Sequence, residues 1–491
     1  MILGVDIGTA SSKAVLIDNR LNIVSEERIQ HSIEYVKPGF VEQDPEIWWA
    51  DVCQLTKSLS KKEYLSKVKA VGISSMGPTV LPVSSSGEAL RHSILYGIDT
   101  RAFKEIAELN DSLGSDVLLK TYSRFSSQSI LPKLLWIKNN QSDIFKNTHS
   151  ILAANGYIVF KLTGKSSLDY FTASSGGIID FLTNSLYRQS FLASRIDENI
   201  IPKLYWPGEI VGNITPEASK MTGLPIGIPV IAGTTDAAAE AVISGCVEAG
   251  DSAISLGSTY IYVTCRNNAN IIKNVVVSNF LSPHSYILGG ATGSGGILVE
   301  WFAKNFLNSD PSRLSFSLPE KDFKKTSLIA LPYLNGARTP VNDQNARGLI
   351  LGLGTETKLA DIYMALIESL ALEIDMIVSE ISQRNKANGK LRITGGGSTN
   401  EILLQAIAEV LKKDLEILPA NMSSAAGAAV LAGIATKEMS MEEATKLVPI
   451  EKRVKYTGSY DEYFKKKKEI FGKAYSANKE LFIDLGQMVK E

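Results

Sequence analysis

Asp236 is the first residue to weigh. It follows an apolar, β-branched run, Pro229-Val230-Ile231, and a small-residue turn, Ala232-Gly233-Thr234-Thr235. Ala237-Ala238-Ala239-Glu240 comes next, so the pattern predicts a strand, then a helix, with one carboxylate at the junction. Such junctions commonly carry chemistry. An aspartate there can also do no more than cap the helix, by accepting from its first free amides.

Two further stretches bear on that choice. Near the start, Ile2–Asp6 reads as a buried strand, Ile7-Gly8-Thr9-Ala10-Ser11-Ser12 as a hydroxyl-rich turn and Lys13–Asp18 as the returning strand. Gly8 lets a ligand approach the backbone. Free amides and hydroxyls can cradle phosphate oxygens, and Lys13 adds a positive charge. Asp6, at the strand end, could hold magnesium through water. Alone, this is a hairpin at a sheet edge. In the second half, however, Ser255-Leu256-Gly257-Ser258-Thr259 repeats the strand, glycine-hydroxyl turn and strand. Two copies, one per half, with a carboxylate between them, read as the two lips of a cleft gripping one polyphosphate.

Other polar positions are less specific. Asp44-Pro45 marks a helix start with Trp48 and Trp49 in the core, and Glu42-Gln43-Asp44 before it could face a polyol. Val68–Ser74 reads as a strand running into Ser75-Met76-Gly77-Pro78, with Thr79–Val83 and Ile94–Tyr96 as further strands. Asp99-Thr100-Arg101 opens a helix. The pair is either a cap with a surface salt bridge, or a carboxylate and a guanidinium at the mouth of a polar pocket. Residues 102–230 look mainly helical, with Leu131–Trp136 on a pocket rim. Ala154–Tyr157 and Asp169–Ser174 fit loops or a substrate wall equally well. Gly289–Gly296 reads as a glycine-rich loop feeding a helix with Glu300 and Trp301, and residues 361–380 as an amphipathic core helix. Gly395-Gly396-Gly397-Ser398-Thr399-Asn400, after a short β-run, is a flexible turn or a place where backbone lies against a planar base or a phosphate. Residues 423–432 form a small-residue helix suited to close packing. Phe464-Lys465-Lys466-Lys467-Lys468-Glu469 reads as a solvated helix face.

The elements that position these groups need more than one core. The chain has 491 residues, beyond the length of about 250–300 at which a single core stops growing. Hydrophobic residues make up 44% and charged residues 21%, as in an ordinary globular protein. Lys+Arg is 51 against Asp+Glu at 52, so no basic excess points to nucleic acid. Cys53, Cys246 and Cys265 are far apart in sequence and the four histidines are scattered, which leaves no disulfide framework and no visible metal cluster. Met1–Asp6 is not a signal peptide, and residues 275–299 are too broken by Pro, His and Gly to span a membrane. The expectation is a cytoplasmic protein.

Taken together, these motifs resemble the FGGY family of carbohydrate kinases, over essentially the whole chain. Asp6-x-Gly8-Thr9-x-x-x-Lys13 is similar to the family's first phosphate loop, and Glu42-Gln43-Asp44-Pro45 to its early substrate segment. Gly233-Thr234-Thr235-Asp236 matches the segment with its catalytic aspartate. Ser255-Leu256-Gly257-Ser258-Thr259 matches the second phosphate loop, and Gly395–Asn400 the adenosine loop. Each string is common alone; the ordered set is specific.

The resemblance implies an α/β fold of two actin-like (ribonuclease H-like) domains with ATP and sugar in a central cleft. Residues 1–245 would form the sugar-binding domain with the first phosphate loop and the catalytic aspartate, and residues 246–491 the nucleotide-binding domain. It implies Asp236 as general base and Asp6 as the anchor for Mg2+. Gly8, Thr9, Lys13, Gly257 and Ser258 would line the phosphates. Gly296, Glu300, Gly396, Gly397 and Asn400 would lie near the nucleotide, and Gln43, Met76, Gly77, Asp99 and Arg101 near the sugar. The partner is then a small sugar or polyol, with no nucleic acid and no membrane, and a homodimer stays open.

Within the family the pattern is most similar to the xylulokinases, so D-xylulose is the expected substrate. Met76-Gly77 stands where those enzymes carry Met-His and glycerol kinases Arg-Glu, and Ile94–Arg101 has one residue more before its aspartate. Both departures fall in the sugar pocket and leave gluconate, ribulose, another polyol or an autoinducer-like dihydroxy ketone as alternatives. An actin- or Hsp70-like ATPase would share the phosphate loops but need no sugar base. A degenerate kinase kept for binding is disfavoured because every expected catalytic position is filled.

Overall fold

The chain's computed structural model describes residues 1–60, 64–307, 323–382 and 389–488. Two sheets of seven strands each organise it. The first comprises β1 (Ile2–Ile7), β2 (Ser11–Ile17), β3 (Ile23–Gln30), β4 (Val71–Ser75), β5 (Ile210–Asn213), β6 (Pro229–Ile231) and β7 (Thr234–Thr235). Its order is β5-β6-β4-β1-β2-β3, with β7 also pairing with β4. The second comprises β8 (Ser252–Leu256), β9 (Tyr260–Arg266), β10 (Val276–Asn279), β11 (Tyr286–Ala291), β12 (Leu391–Thr394), β13 (Leu415–Ile417) and β14 (Lys452–Val454), in the order β10-β11-β9-β8-β12-β13-β14.

The two sheets share one plan. A leading strand, β1 or β8, pairs antiparallel with the strand after its turn. On its other side it pairs parallel with β4 or β12. Burial alternates only at the start of β2 and is unbroken from Ala14 to Ile17, and the unbroken Ile-Leu-Gly-Val of β1 likewise fits strands covered on both faces. The duplicated turns of the sequence are thus the tips of matching hairpins in matching sheets.

The helices used below are α1 (Pro45–Ser60), α2 (Ile130–Asn140), α3 (Asp236–Ile243), α4 (Gly296–Phe302), α5 (Leu359–Ser382), α6 (Glu401–Leu411), α7 (Ser424–Ala435) and α8 (Asp461–Met488). The most apolar, α7, comes from the second half of the chain but packs on the first sheet. Its Ala and Gly residues bring backbone against backbone. A Cβ on Gly4 would lie 1.8 Å from the Ala425 carbonyl oxygen, and one on Gly72 1.9 Å from that of Ala428. On its other side, a Cβ on Gly427 would lie 1.9 Å from the Ala239 carbonyl of α3. A helix with small residues all round is stable only when buried this way. It ties the two halves into one body.

Several local expectations shift. Asp236 is the first residue of α3 and Thr235 holds the cap position, so the aspartate is not the N-cap. Ala154–Thr163 and Tyr170–Ser175 are helices rather than loops, the latter capped by Asp169, whose side chain accepts from the Thr172 amide. Gly289 and Gly290 lie inside β11, so the glycine-rich loop is shorter than expected. The helix after Asp99-Thr100-Arg101 begins only at Phe103. The lysine run on α8 is not a solvated face throughout. Lys467 is 5% exposed and pairs with Glu368 at 2.7 Å, and Lys468 pairs with Asp375 at 2.8 Å, both acids on α5.

Candidate active site

Register brings the first group of residues together. In the first sheet Ile7 and Thr235 both lie opposite Ser75. The residues that follow these strand ends, Gly8, Met76 and Asp236, therefore leave the sheet side by side, at the carboxyl edge where open α/β sheets bind ligands. The Met76 amide donates to the Ile7 carbonyl at 2.8 Å, which fixes the edge.

Three carboxylates crowd there. Asp6, one residue before the end of β1, accepts from the Ser74 hydroxyl at 2.7 Å and from Ser424 at the start of α7. Burial raises its pKa above the usual carboxylate range, against those hydroxyls and the charges of Lys13 and Arg28. Asp236 accepts from the Ala237 amide at 2.7 Å. Burial pushes its pKa up to about 8, and the negative charges of Asp6 and Glu240 add to the rise. Glu240 lies one turn further along α3, on the same face. Burial and Asp6 push it up to about 7, and a hydrogen bond from Ser255 of β8 opposes the rise. Sequence reasoning assigned Glu240 no role. The four-residue spacing from Asp236 was the available signal.

The first glycine turn is braced from behind. His31 donates from Nε2 to the Gly8 carbonyl at 2.9 Å and faces Asp51 with Nδ1 at 2.7 Å. Ser12 also donates to Asp51. Burial lowers the His31 pKa, but Asp51 and the Gly8 carbonyl outweigh it and hold the imidazole above its ordinary value. Thr9 shares a hydrogen bond of 3.0 Å with the Tyr96 hydroxyl, and Lys13 pairs with Glu26 at 3.1 Å. No sequence pattern pointed to His31, Asp51 or Tyr96, because each acts across a large separation in the chain.

In the second sheet Ser255 lies opposite Thr394, so the glycine turn after β8 and the triple glycine after β12 emerge together. Gly257 and Ser258 are exposed at the tip. The Gly296 amide donates to the Gly257 carbonyl at 2.9 Å, which seats the start of α4 on the turn. Glu300, on α4, is exposed. Gly395 has φ +90°, and a Cβ there would lie 2.8 Å from the Leu256 carbonyl, so the strand can turn here only with glycine. Gly396 is exposed, with nothing near a Cβ position, while Gly397 packs on Leu256. Asn400 is the cap of α6: Oδ1 accepts from the Leu403 amide at 3.0 Å and Nδ2 donates to the Tyr363 hydroxyl at 2.8 Å.

The residues expected near the sugar are placed beside this edge, but most are spoken for. Gln43 is 0% exposed; Nε2 donates to the Ser32 carbonyl and Oε1 accepts from Trp48. The Met76 side chain is buried in the core, and Gly77 is half-buried. Asp99 and Arg101 are 1% and 4% exposed and grip each other, with Nη2 to Oδ2 at 2.7 Å. Asp99 also accepts from the Val41 amide at 2.6 Å, and Arg101 reaches Glu42 at 2.6 Å. Arg91 pairs with the same Glu42, and the rings of Phe40 and Trp136 flank Arg101 at 4.4 and 4.9 Å. The Asp-x-Arg pair is thus neither a surface salt bridge nor a free pair at a mouth. It is a buried strut that ties Val41 and Glu42 together.

Lys133 on α2 adds a buried amine to this strut. It is 1% exposed and makes no hydrogen bond. Burial pushes its pKa down to about 7, with Asp99 opposing and Arg101 assisting. Between about pH 7 and pH 10 the unfolded chain holds a proton on this lysine that the folded chain does not, so its contribution to stability falls as pH falls across that window and is level below it. Lys133→Met is expected to melt above the parent, by a margin that widens from pH 10 down to pH 7. Thermal melts of both chains across that range check it.

Among the described residues no group of three or more His, Cys, Asp or Glu is arranged to hold a metal ion by itself, and no helix is long and apolar enough to cross a membrane.

Comparison with known proteins agrees with this geometry. Residues 1–243 match the model for the N-terminal domain of the FGGY family of carbohydrate kinases, and residues 249–436 the model for its C-terminal domain. The xylulose kinase of Staphylococcus xylosus is 26% identical over 487 residues, covering 96% of this chain and 99% of that protein. The crystal structure of xylulose kinase from Rhodospirillum rubrum superposes with a TM-score of 0.90 at 24% identity, covering 98% of this chain and 99% of that one. The gluconate kinase structure from Lactobacillus acidophilus superposes nearly as well, with a TM-score of 0.89 at 23% identity over 97% of this chain and 98% of that one. With two matching sheets, a glycine turn on each and a carboxylate at the start of α3, the chain belongs to the FGGY family of carbohydrate kinases, ATP-dependent sugar kinases of two actin-like domains.

Proposed function

We propose that this kinase transfers the γ-phosphoryl group of ATP to a hydroxyl of D-xylulose, with Asp236 as the general base. The single observation that carries the proposal is the placement of Asp236: beside Gly8 and Met76 at one sheet edge, and one helical turn from Glu240, which reaches Ser255 beneath the second glycine turn. The named activity of the full-length Staphylococcus xylosus relative supports the choice of sugar.

In the proposed reaction the sugar hydroxyl donates its proton to the Asp236 carboxylate as its oxygen bonds to the γ-phosphorus. The bond from that phosphorus to the β–γ bridging oxygen breaks, and ADP leaves. Phosphoryl transfer of this kind asks for positioning and charge neutralisation more than covalent chemistry. Gly8, Thr9 and Lys13 would hold phosphates from one side, and Gly257 and Ser258 from the other. Gly296, Glu300, Gly396 and Gly397 would flank the nucleotide, with Asn400 holding the helix behind the triple glycine. Residues 1–245 would act as the sugar-binding half and residues 246–491 as the nucleotide-binding half, α7 excepted. Gly77 would face the sugar directly, and Gln43, Met76, Asp99 and Arg101 would shape the pocket from behind.

The crowded carboxylates fit a divalent cation brought in with ATP: Asp6 and Asp236 repel each other, and burial sharpens the repulsion. Asp6 would hold Mg2+, partly through water, and the ion would neutralise charge on the phosphates. We place the reaction in the cytoplasm, where ATP is available.

ADP release with Mg-ATP, measured across ketoses, aldonates, polyols and glycerol and without sugar, tests the proposal. D-xylulose is expected to be turned over with the highest kcat/KM. Equal ADP release with and without any sugar would replace it with an ATPase.

A further inference from the structure

Gly77 carries no side chain, and an amide from elsewhere in the chain fills the space beside it. A Cβ on Gly77 would lie 2.9 Å from Gln128 Nε2 and 3.5 Å from Tyr96 Cβ. Gln128 is held firmly in this place. Its Oε1 accepts from the Gly97 amide at 3.0 Å, and its own amide donates to Ser126 Oγ at 3.2 Å. Ser127 donates to the Gly97 carbonyl at 2.9 Å, clamping the same glycine from the other side. With the carbonyl end fixed, the NH2 end is aimed towards Gly77, and it donates to none of the described residues. A side chain locked by such contacts is pre-organised for a ligand.

The position is continuous with the reaction centre. Gly77 follows Met76, which leaves the sheet beside Asp236, and Tyr96 runs from Gly77 to Thr9 of the first glycine turn. The charges around it cancel. Glu42 and Asp99 neutralise Arg91 and Arg101, and the Lys133 amine is sealed from solvent. What the wall offers a ligand here is a neutral double donor, suited to an uncharged acceptor oxygen. A carboxylate would bring a full charge to a place with no free cation among these groups.

We propose that Gln128 is a specificity-determining residue of this kinase, donating from Nε2 to the carbonyl or a hydroxyl oxygen of a neutral ketose, in preference to a sugar acid. This rests on the kinase reading above. Gln128→Glu keeps the Oε1 acceptor for Gly97 and loses the NH2 donors; Gln128→Leu removes both. The test compares kcat/KM of the parent and both variants on D-xylulose and on gluconate, together with the KM for ATP. Both variants are expected to lose about tenfold or more on the ketose, and with the uncharged Gln128→Leu the ketose-to-aldonate ratio is expected to fall, with the KM for ATP unchanged. Variants that keep the parent's ketose kcat/KM, or that lose both sugars and ATP alike, would overturn the assignment. If the parent itself shows no sugar-dependent ADP release, the kinase reading is what fails; if the parent does and the variants match it, only the role of Gln128 fails.

Discussion

Asp236→Asn is expected to lower kcat for sugar phosphorylation by about a thousandfold or more, near the upper end of what a general base contributes. Asparagine is nearly isosteric, and its Oδ1 can still accept from the Ala237 amide as the carboxylate does at 2.7 Å. The start of α3 and the two glycine turns should keep their places, so ATP affinity should be unchanged. The substitution also removes one of three crowded carboxylates. With the Asp236 pKa at about 8 in the folded chain and close to 4 when unfolded, the folded state holds an extra proton between those values, and stability falls as pH rises through that window. The Asn variant is therefore expected to melt above the parent at pH 8 and to lose that advantage as pH falls towards 4. A base that costs stability in the resting enzyme is a familiar exchange at active sites. Steady-state turnover, ATP titration and thermal melts at the two pH values check the three parts separately. A variant with near-parental sugar turnover would remove Asp236 from the role of base.

Gly4→Ala and Gly72→Ala are expected to destabilise the protein by about 3 kcal/mol or more, the top of the usual range for overpacking. In most cores an added methyl group pushes on a side chain that can rotate away. Here it would meet the backbone carbonyls of Ala425 and Ala428 at 1.8 and 1.9 Å, and only a shift of the whole of α7 could relieve it. Since Ser424 at the start of α7 hydrogen bonds to Asp6, such a shift would also disturb the sheet edge that carries Asp6 and Asp236. The expected fall in melting temperature is roughly 6 °C or more for a domain of this size. Gly472→Ala is the matched control. It lies on the exposed side of α8 with nothing near its Cβ position, and alanine there should stabilise by about 0.5–1 kcal/mol. Equal melting of Gly4→Ala and the parent would mean that α7 does not sit as closely on the first sheet as described.

The paired devices are written locally in the chain. Gly8 and Gly257 sit in hydroxyl-rich turns between apolar runs, and a local pattern of that kind is set by residues a few positions apart. The strand before Asp236 and the helix after it were legible for the same reason, as was the turn at Gly395 before the cap residue Asn400. The small-residue stretch from Ser423 declared close packing, but not what it packs on. Long-range packing, by contrast, is what carries α7 across to the first sheet, joins Glu240 to Asp6 and Asp236, and sets His31 and Asp51 behind the first turn. It also decided which polar groups are free. Asp99, Arg101 and Gln43 look available in sequence and are consumed by Glu42, Val41, Ser32 and Trp48 in the fold, while Gln128, in no motif, is left with its donors towards Gly77. Hydrogen-bond partners are chosen across the fold rather than along the chain, so a residue's type states what it can do and only its neighbours decide whether it is still free to do it.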